Sequence, residues 1–257
     1  MSDFLAFDTA TEHMSIALQV GARLWSHEGA GGAQASTRLI PSIMGLLGQA
    51  GVGLRDLDAI AFGRGPGAFT GLRTACAVAQ GLAFGAGLPV LPIDSLLAVA
   101  EDARVGALPQ QVWVAMDARM GEVYAALYVF ADGAWCTRAE PMLVTPEALA
   151  ARWQGEPPEV VAGSALVAFP ALLHHCAAAR QAPLARPRAS AMLPLAAALW
   201  AQGGAVDAAQ ALPLYVRDKV AQTTRERDAI RAARDAAGAL SQANVALPVS
   251  GIPWGRS

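Results

Sequence analysis

Two segments of the chain share one pattern of apolar and polar positions. In each, an apolar run ends at an aspartate, a polar turn follows, and apolar and polar residues then alternate. The aspartate is Asp8 after FLAF in the first segment and Asp117 after VWVAM in the second. Alternation with a period of two predicts a strand, so each segment predicts a β-hairpin. Their separation, about one small domain, is compatible with duplication of one unit and with coincidence.

The chain between the two hairpins alternates strand and helix patterns. Paired apolar positions predict an amphipathic helix from Arg38 to Leu47, with Ser36 as its N-cap and Gly51 past its end. LDAIAFG and LPVLPID predict buried strands on either side of a second helix, which Thr70 caps. Strands that alternate with helices predict an α/β unit. The second half repeats the theme, with a strand at Val160–Ala162 and a helix near Leu193–Gln202.

A glycine-rich block, GRGPGAFTG, joins the LDAIAFG strand to the second helix. A phosphate-binding P-loop needs a lysine after its last glycine, and Lys219 is the chain's only lysine. Gly63, Gly65 and Ala68 match a dinucleotide-binding fingerprint, but no acidic residue follows at the required distance of about twenty positions. The alternative is that the glycines only allow a tight turn from strand to helix, and we favour it.

Composition excludes several classes of protein. Hydrophobic residues make up 54% of the chain and charged residues 16%, which predicts a folded protein. The net charge of −2 gives no basic field for holding nucleic acid. The three cysteines are far apart in sequence and odd in number, so we expect no disulfide framework. The four histidines lack the spacing of metal ligands, so we expect no metal site on this chain. Without an apolar run of membrane-spanning length, we expect a cytoplasmic protein that does not contact membranes.

Four blocks of the sequence carry a resemblance to a known family. GRGPGAFTGLRTACAVAQGLAFGAGLPV, preceded by AFDTATEHMSIAL and followed by DARMGEVYAALY and PLYVRD, resembles the bacterial TsaB family, also called YeaZ. The resemblance runs in order from about Phe4 to Lys219. It implies an α/β fold of two ribonuclease-H-like halves in the actin-like ATPase (ASKHA) superfamily. We therefore predict a first domain at 1–107, a second at 108–220 whose last segment is a candidate to pack back on the first, and a polar tail at 221–257, partly helical or disordered.

The resemblance also implies a function. Family members act in the bacterial complex that transfers a threonylcarbamoyl group to adenosine 37 of tRNAs reading ANN codons. The implied role is a non-catalytic scaffold that forms a heterodimer with the catalytic subunit TsaD, is joined by TsaE, forms a homodimer when alone, and meets tRNA only through the complex. No cofactor is expected on the chain itself. ATP or ADP and a metal are expected in the complex, mainly on the partner subunits.

Two sets of site residues follow from the resemblance, and neither is catalytic. The two helices of the first half would bind the partner through Leu39, Ile40, Ile43, Met44, Leu47, Phe69, Leu72, Arg73, Cys76, Ala79 and Leu82. The hairpin turns would face a nucleotide through Asp8, Thr9, Thr11, Asp117, Arg119 and Glu122. Two other functions remain open, a stand-alone ATP-binding enzyme that uses Asp8 and Asp117, and a dinucleotide-binding module.

Overall fold

The computed structural model describes residues 2–217, and residues up to Val216 form one compact unit. The predicted tail at 221–257 lies outside the described residues. Ten strands are present: β1 Phe4–Asp8, β2 His13–Val20, β3 Arg23–Ala30, β4 Ala59–Gly65, β5 Val90–Asp94, β6 Gln110–Asp117, β7 Val123–Ala131, β8 Ala134–Val144, β9 Val160–Ala162 and β10 Arg180–Ala182. Six α-helices accompany them within the described residues: α1 Ala35–Ala50, α2 Phe69–Ala86, α3 Ser95–Ala103, α4 Pro146–Gly155, α5 Ala165–Ala168 and α6 Ala189–Ala201.

The strands form two five-stranded sheets with the same internal order. The first sheet is ordered β3-β2-β1-β4-β5 and the second, read in the same direction, β8-β7-β6-β9-β10. In each sheet the antiparallel hairpin is followed by a parallel strand on the other side of its first strand. The two-halved α/β architecture is therefore confirmed, and the repeated aspartate hairpin is its opening element.

Helices cover both faces of the first sheet. Side chains of α1 and α2 pack with alternate residues of the sheet such as Leu5 and Phe7. The other face, which includes Phe4 and Ala6, is covered by α6 from the end of the described chain. Because successive residues of a strand point to opposite faces, a strand covered on both sides reads as the continuous apolar run seen in FLAF.

The two predicted N-caps are wrong. Helix α1 begins at Ala35, so Ser36 lies inside its first turn, and its N-cap Gln34 forms no side-chain cap hydrogen bond. Helix α2 begins at Phe69, after Ala68 as its N-cap. The first hairpin turn holds the start of α2 in place of a capping hydroxyl. For α2, the Ala68 amide donates to the Ala10 carbonyl at 2.7 Å.

Charged side chains link the first sheet to the chain that precedes α6. The Arg188 Nε lies 3.3 Å from a Glu28 carboxylate oxygen of β3, and its guanidinium also pairs with Asp102 of α3. The Arg186 amide donates to the Asp102 carboxylate at 3.0 Å. These bonds tie α3, β3 and the start of α6 together, which places α6 firmly on the first sheet.

Candidate functional site

The first hairpin turn, which follows Asp8, is buried. Asp8 is 1% exposed and Thr9 is fully buried. The Asp8 carboxylate accepts hydrogen bonds from the Ala10 amide at 2.7 Å and from the Ser95 hydroxyl at 2.5 Å. The Thr9 hydroxyl donates to the Gly71 carbonyl at 2.7 Å. The turn is thus held between the start of α2 and the start of α3.

Glycines of the GRGPGAFTG block make this burial possible. A Cβ on Gly63 would lie 1.7 Å from the Asp8 carboxylate, and a Cβ on Gly71 would lie 1.9 Å from the Thr9 carbonyl oxygen. A Cβ on Gly67 would lie 2.5 Å from the Ala10 carbonyl oxygen. Such distances exclude any side chain, so these positions need glycine for close backbone approach. The block therefore closes over the hairpin turn, which supports the packing interpretation over a phosphate-binding one.

Burial changes the acidity of Asp8. Loss of water around the carboxylate raises the pKa of Asp8 from 3.8 to about 6, although the hydrogen bonds from Ser95 and Ala10 act in the opposite direction. No cationic side chain among the described residues forms an ion pair with it. Asp8 therefore resembles a structural buried acid more than a phosphate or metal ligand of an open site.

The second hairpin turn, which follows Asp117, is open. The Asp117 carboxylate accepts a hydrogen bond from the Arg119 amide at 2.8 Å, which repeats the bond between Asp8 and Ala10. Arg119 and Met120 have positive φ angles of 62° and 58°, a conformation that costs energy outside glycine. The Arg119 guanidinium lies 3.6 Å from Glu12 and 3.2 Å from Asp117, so it bridges the two hairpin turns.

The predicted nucleotide-facing residues therefore separate into two groups. Asp8 and Thr9 are buried, with their side chains hydrogen-bonded inside the protein, and their nucleotide contact stays a prediction. Thr11 is partly exposed at the edge of the first turn, where its hydroxyl accepts from the His13 amide. Asp117, Arg119 and Glu122 line the open second turn, and their nucleotide contact stays a prediction.

The predicted partner-binding set also needs correction. Six of its members are buried: Leu39, Ile43, Leu47, Leu72, Cys76 and Ala79. All of them except Leu72 lie in the cluster that attaches α1 and α2 to the first sheet. Phe69 and Leu82 are half-buried. Ile40 is 43% exposed, Met44 is 52% exposed, and Arg73 is also exposed.

An exposed surface does remain on α1 and α2, which contact each other. Phe84 was missed by the sequence prediction although it is 85% exposed, the largest exposed fraction of any bulky apolar side chain in the described chain. The spacing of Arg73, Ala77 and Phe84 places them on one side of α2 and could have revealed it. We define the docking face as Ile40, Met44, Arg73, Ala77, Gly81 and Phe84.

Comparison with known proteins identifies the family. A protein of Escherichia coli (strain K12), tRNA threonylcarbamoyladenosine biosynthesis protein TsaB, is 36% identical over 220 residues, covering 84% of this chain and 95% of that protein. The chain belongs to the TsaB family, also called YeaZ. The protein of the same name from Haemophilus influenzae (strain ATCC 51907 / DSM 11121 / KW20 / Rd) is 48% identical over 121 residues, 47% of this chain and 51% of that protein.

A solved structure and a family model extend the comparison. YeaZ from Pseudomonas aeruginosa superposes with a TM-score of 0.72 at 38% identity, covering 84% of this chain and all of that one. Residues 30–170 match the family model TsaD, tRNA N6-adenosine threonylcarbamoyltransferase. This TsaB-family chain therefore has the predicted α/β fold of two halves, with two five-stranded sheets of the same strand order.

Residues 2–217 contain neither a candidate metal site nor a candidate membrane span. No group of three or more His, Cys, Asp or Glu side chains in this range is arranged to hold a metal ion. No helix in the same range is both long enough and apolar enough to cross a bilayer.

Proposed function

We propose that this TsaB-family chain acts in the biosynthesis of threonylcarbamoyladenosine in tRNA as a non-catalytic scaffold subunit. The curated relatives named above carry that biosynthetic role in their names. The chain would support transfer of the threonylcarbamoyl group to adenosine 37 by a TsaD-type catalytic subunit. It would meet tRNA only within that complex, in which TsaE would be a further partner.

The observation that carries this proposal is the closure of the first hairpin turn. In an actin-like ATPase this turn approaches the nucleotide phosphates, and both halves contribute to the site. Here Gly63, Gly67 and Gly71 pack against Asp8, Ala10 and Thr9, so the start of the turn is buried and only its end, at Thr11 and Glu12, reaches the surface. This supports a subunit that leaves nucleotide and metal chemistry mainly to its partners, over a stand-alone ATP-binding enzyme.

The docking face supports pairing with a TsaD-type subunit. The match to the TsaD family model covers residues 30–170 and therefore includes both α1 and α2. A TsaD-type partner would then present an equivalent helix pair, and the four helices would form a bundle. Exposed Met44 and Phe84 are the apolar contacts we expect at its centre, because buried aromatic and long aliphatic side chains dominate interface energies.

The test uses two variants of the docking face and one control. Met44→Asp and Phe84→Asp should each weaken binding of the TsaD-type subunit from the same organism at least about tenfold in sedimentation analysis. Val167→Asp is the control, because Val167 is 64% exposed in the second half, away from α1 and α2. Substitution of Leu72 or Ala79 would test folding instead, since both are buried.

Function in the complex is measured with the same samples. The reconstituted system should form threonylcarbamoyladenosine on tRNA with the parent chain and lose that activity in proportion to the loss of binding. Equal binding by Phe84→Asp and Val167→Asp would remove the docking face from the proposal. Hydrolysis of ATP by the isolated chain, abolished by Asp117→Asn, would overturn the scaffold role in favour of the enzyme.

A further inference from the structure

The charged residues of the docking helices α1 and α2 are all positive. Helices α1 and α2 contain two charged residues, Arg38 and Arg73, and no aspartate or glutamate. Both arginines are exposed. The surface that these helices present is therefore apolar and cationic, without a carboxylate of its own.

Arg73 is held in a fixed orientation by two aromatic rings. Its guanidinium carbon lies 3.9 Å from the centre of the Phe69 ring, and its Nε donates to the Tyr215 hydroxyl at 3.1 Å. The two rings also contact each other, with their centres 5.4 Å apart. Stacking on an aromatic face and a hydrogen bond to Nε restrict the flexible arginine side chain.

Tyr215 is itself fixed, because the chain before it is tied to α2 and to the end of β4. The Leu214 amide donates to the Arg64 carbonyl at 2.7 Å. The Ala211 carbonyl accepts from the Gln80 side-chain amide at 3.0 Å and from the Cys76 thiol at 2.7 Å. Residues 211–215 thus form a strap along α2. The strap holds Tyr215 in place, and Tyr215 in turn holds the Arg73 side chain.

The terminal amino groups of Arg73 are left available. Among the described residues, its polar contact is with Tyr215 through Nε, and no carboxylate lies within ion-pair distance. A guanidinium whose two terminal nitrogens have no ion pair within the described residues can take both oxygens of one carboxylate. Because the side chain is already ordered, binding costs less conformational entropy than with a mobile arginine.

We propose that Arg73 is the specificity-determining residue of the docking face, and that it selects a partner subunit carrying a carboxylate over a second copy of this chain. A second copy would bring only arginines from its own α1 and α2, and like charges at an interface are unfavourable. The inference rests on the proposed function in taking the partner to be the TsaD-type subunit. That subunit would place an aspartate or glutamate opposite Arg73.

Reversing the charge of Arg73 tests whether this residue attracts a carboxylate of the partner subunit. Arg73→Glu should weaken binding of the TsaD-type subunit at least about thirtyfold, whereas Arg73→Lys, which keeps charge but loses the planar fork, should weaken it about fivefold. Added salt should weaken the parent complex and not that of Arg73→Glu. Arg138→Glu on β8 is the control for a lost exposed arginine and should bind as the parent does.

Mixing experiments with this chain alone test the second half of the inference. A mixture of the parent with Arg73→Glu should dimerise at least about fivefold more tightly than either protein alone, because the glutamate now faces arginine. Thermal unfolding of each variant confirms that a weaker complex is not a misfolded protein. Equal self-association of parent, variant and mixture, at all salt concentrations, would overturn the role of Arg73.

The two proposals fail in different ways. If the TsaD-type subunit does not bind the parent at all, the proposed function is wrong, and the mixing experiment still judges whether Arg73 opposes self-association. If the TsaD-type subunit binds the parent and Arg73→Glu equally well, the proposed function stands and the specificity role of Arg73 is wrong.

Discussion

The turn after β1 and the turn after β6 follow the same aspartate in equivalent strands of two sheets with the same order. In both, the carboxylate accepts a hydrogen bond from the backbone amide two residues later. Their surroundings differ. The Asp8 turn is buried beneath α2, whereas the Arg119 side chain in the Asp117 turn is 73% exposed.

Local sequence explains the shared hydrogen bond, and long-range packing explains the difference in burial. The first turn is covered because Gly67 and Gly71 let an 18-residue helix begin against its backbone. After β9 the chain continues into α5, which has only four residues. Two halves with the same strand order can thus keep the hydrogen bond of the aspartate in both turns, while one turn becomes a closed structural element and the other an open surface.

The largest expected effect is a loss of unfolding free energy when one methyl group is added beside the closed turn. Gly71→Ala would place a Cβ against the Thr9 carbonyl, so the backbone must shift and the Thr9 hydrogen bond must lengthen. We expect the free energy of unfolding to fall by about 3 kcal/mol in urea denaturation. Gly81→Ala in the same helix is the control, because nothing lies near its Cβ position, and should gain about 0.5 kcal/mol. Equal effects of the two substitutions would mean that the turn is not closed by contact.

The second prediction is that the free energy of unfolding depends on pH because of Asp8 in the closed turn. Asp8 has a pKa of about 6 in the folded protein and 3.8 as the reference value, so between these pH values the folded state alone binds the proton. Stability contributed by the protonated acid is complete below pH 4 and is lost as the pH rises through 6. Asp8→Asn removes this dependence, so its advantage over the parent should grow by about 2–3 kcal/mol from pH 4 to pH 8.

The pH experiment compares unfolding free energies of parent and variant at several pH values. A parallel pH profile of Asp8→Asn and the parent would mean that Asp8 is solvated. That result would reopen the first turn as a ligand site.

The fold was accessible from the sequence because its signals are local. The paired hairpins, the buried strand of LDAIAFG and the exposed termination of α1 at Gly51, where φ is 72°, all follow from short-range pattern. Helix starts were predicted less well. Ser36 and Thr70 have the right chemistry for capping, but neither is the N-cap, and α2 begins where the Ala68 amide donates to the Ala10 carbonyl of a distant turn.

The candidate site was accessible only in part. The resemblance predicted that α1 and α2 bind the partner, and it included buried residues of these helices, such as Leu39 and Leu72, in the partner-binding set. Apolar periodicity marks the side of a helix that is buried, and it does not say whether the helix's own sheet or another chain buries it. The closure of the Asp8 turn depends on contacts about sixty residues apart in sequence, which no local pattern encodes.

The smallest expected effect is on the open turn. Arg119→Ala removes its ion pairs with Glu12 and Asp117, but exposed pairs contribute little, so the free energy of unfolding should change by less than about 0.5 kcal/mol. Arg119→Gly removes the same pairs and also relieves the positive φ of 62°, so it should be more stable than the alanine variant by about 1 kcal/mol. The difference in unfolding free energy between the two variants, measured by urea denaturation, reports the cost of the positive φ at this position, since both variants lack the ion pairs. A loss of more than about 1 kcal/mol of unfolding free energy in Arg119→Ala would show that the Arg119 bridge between the turns holds the two halves together. The two turns would then differ in their exposure to solvent and not in their contribution to stability.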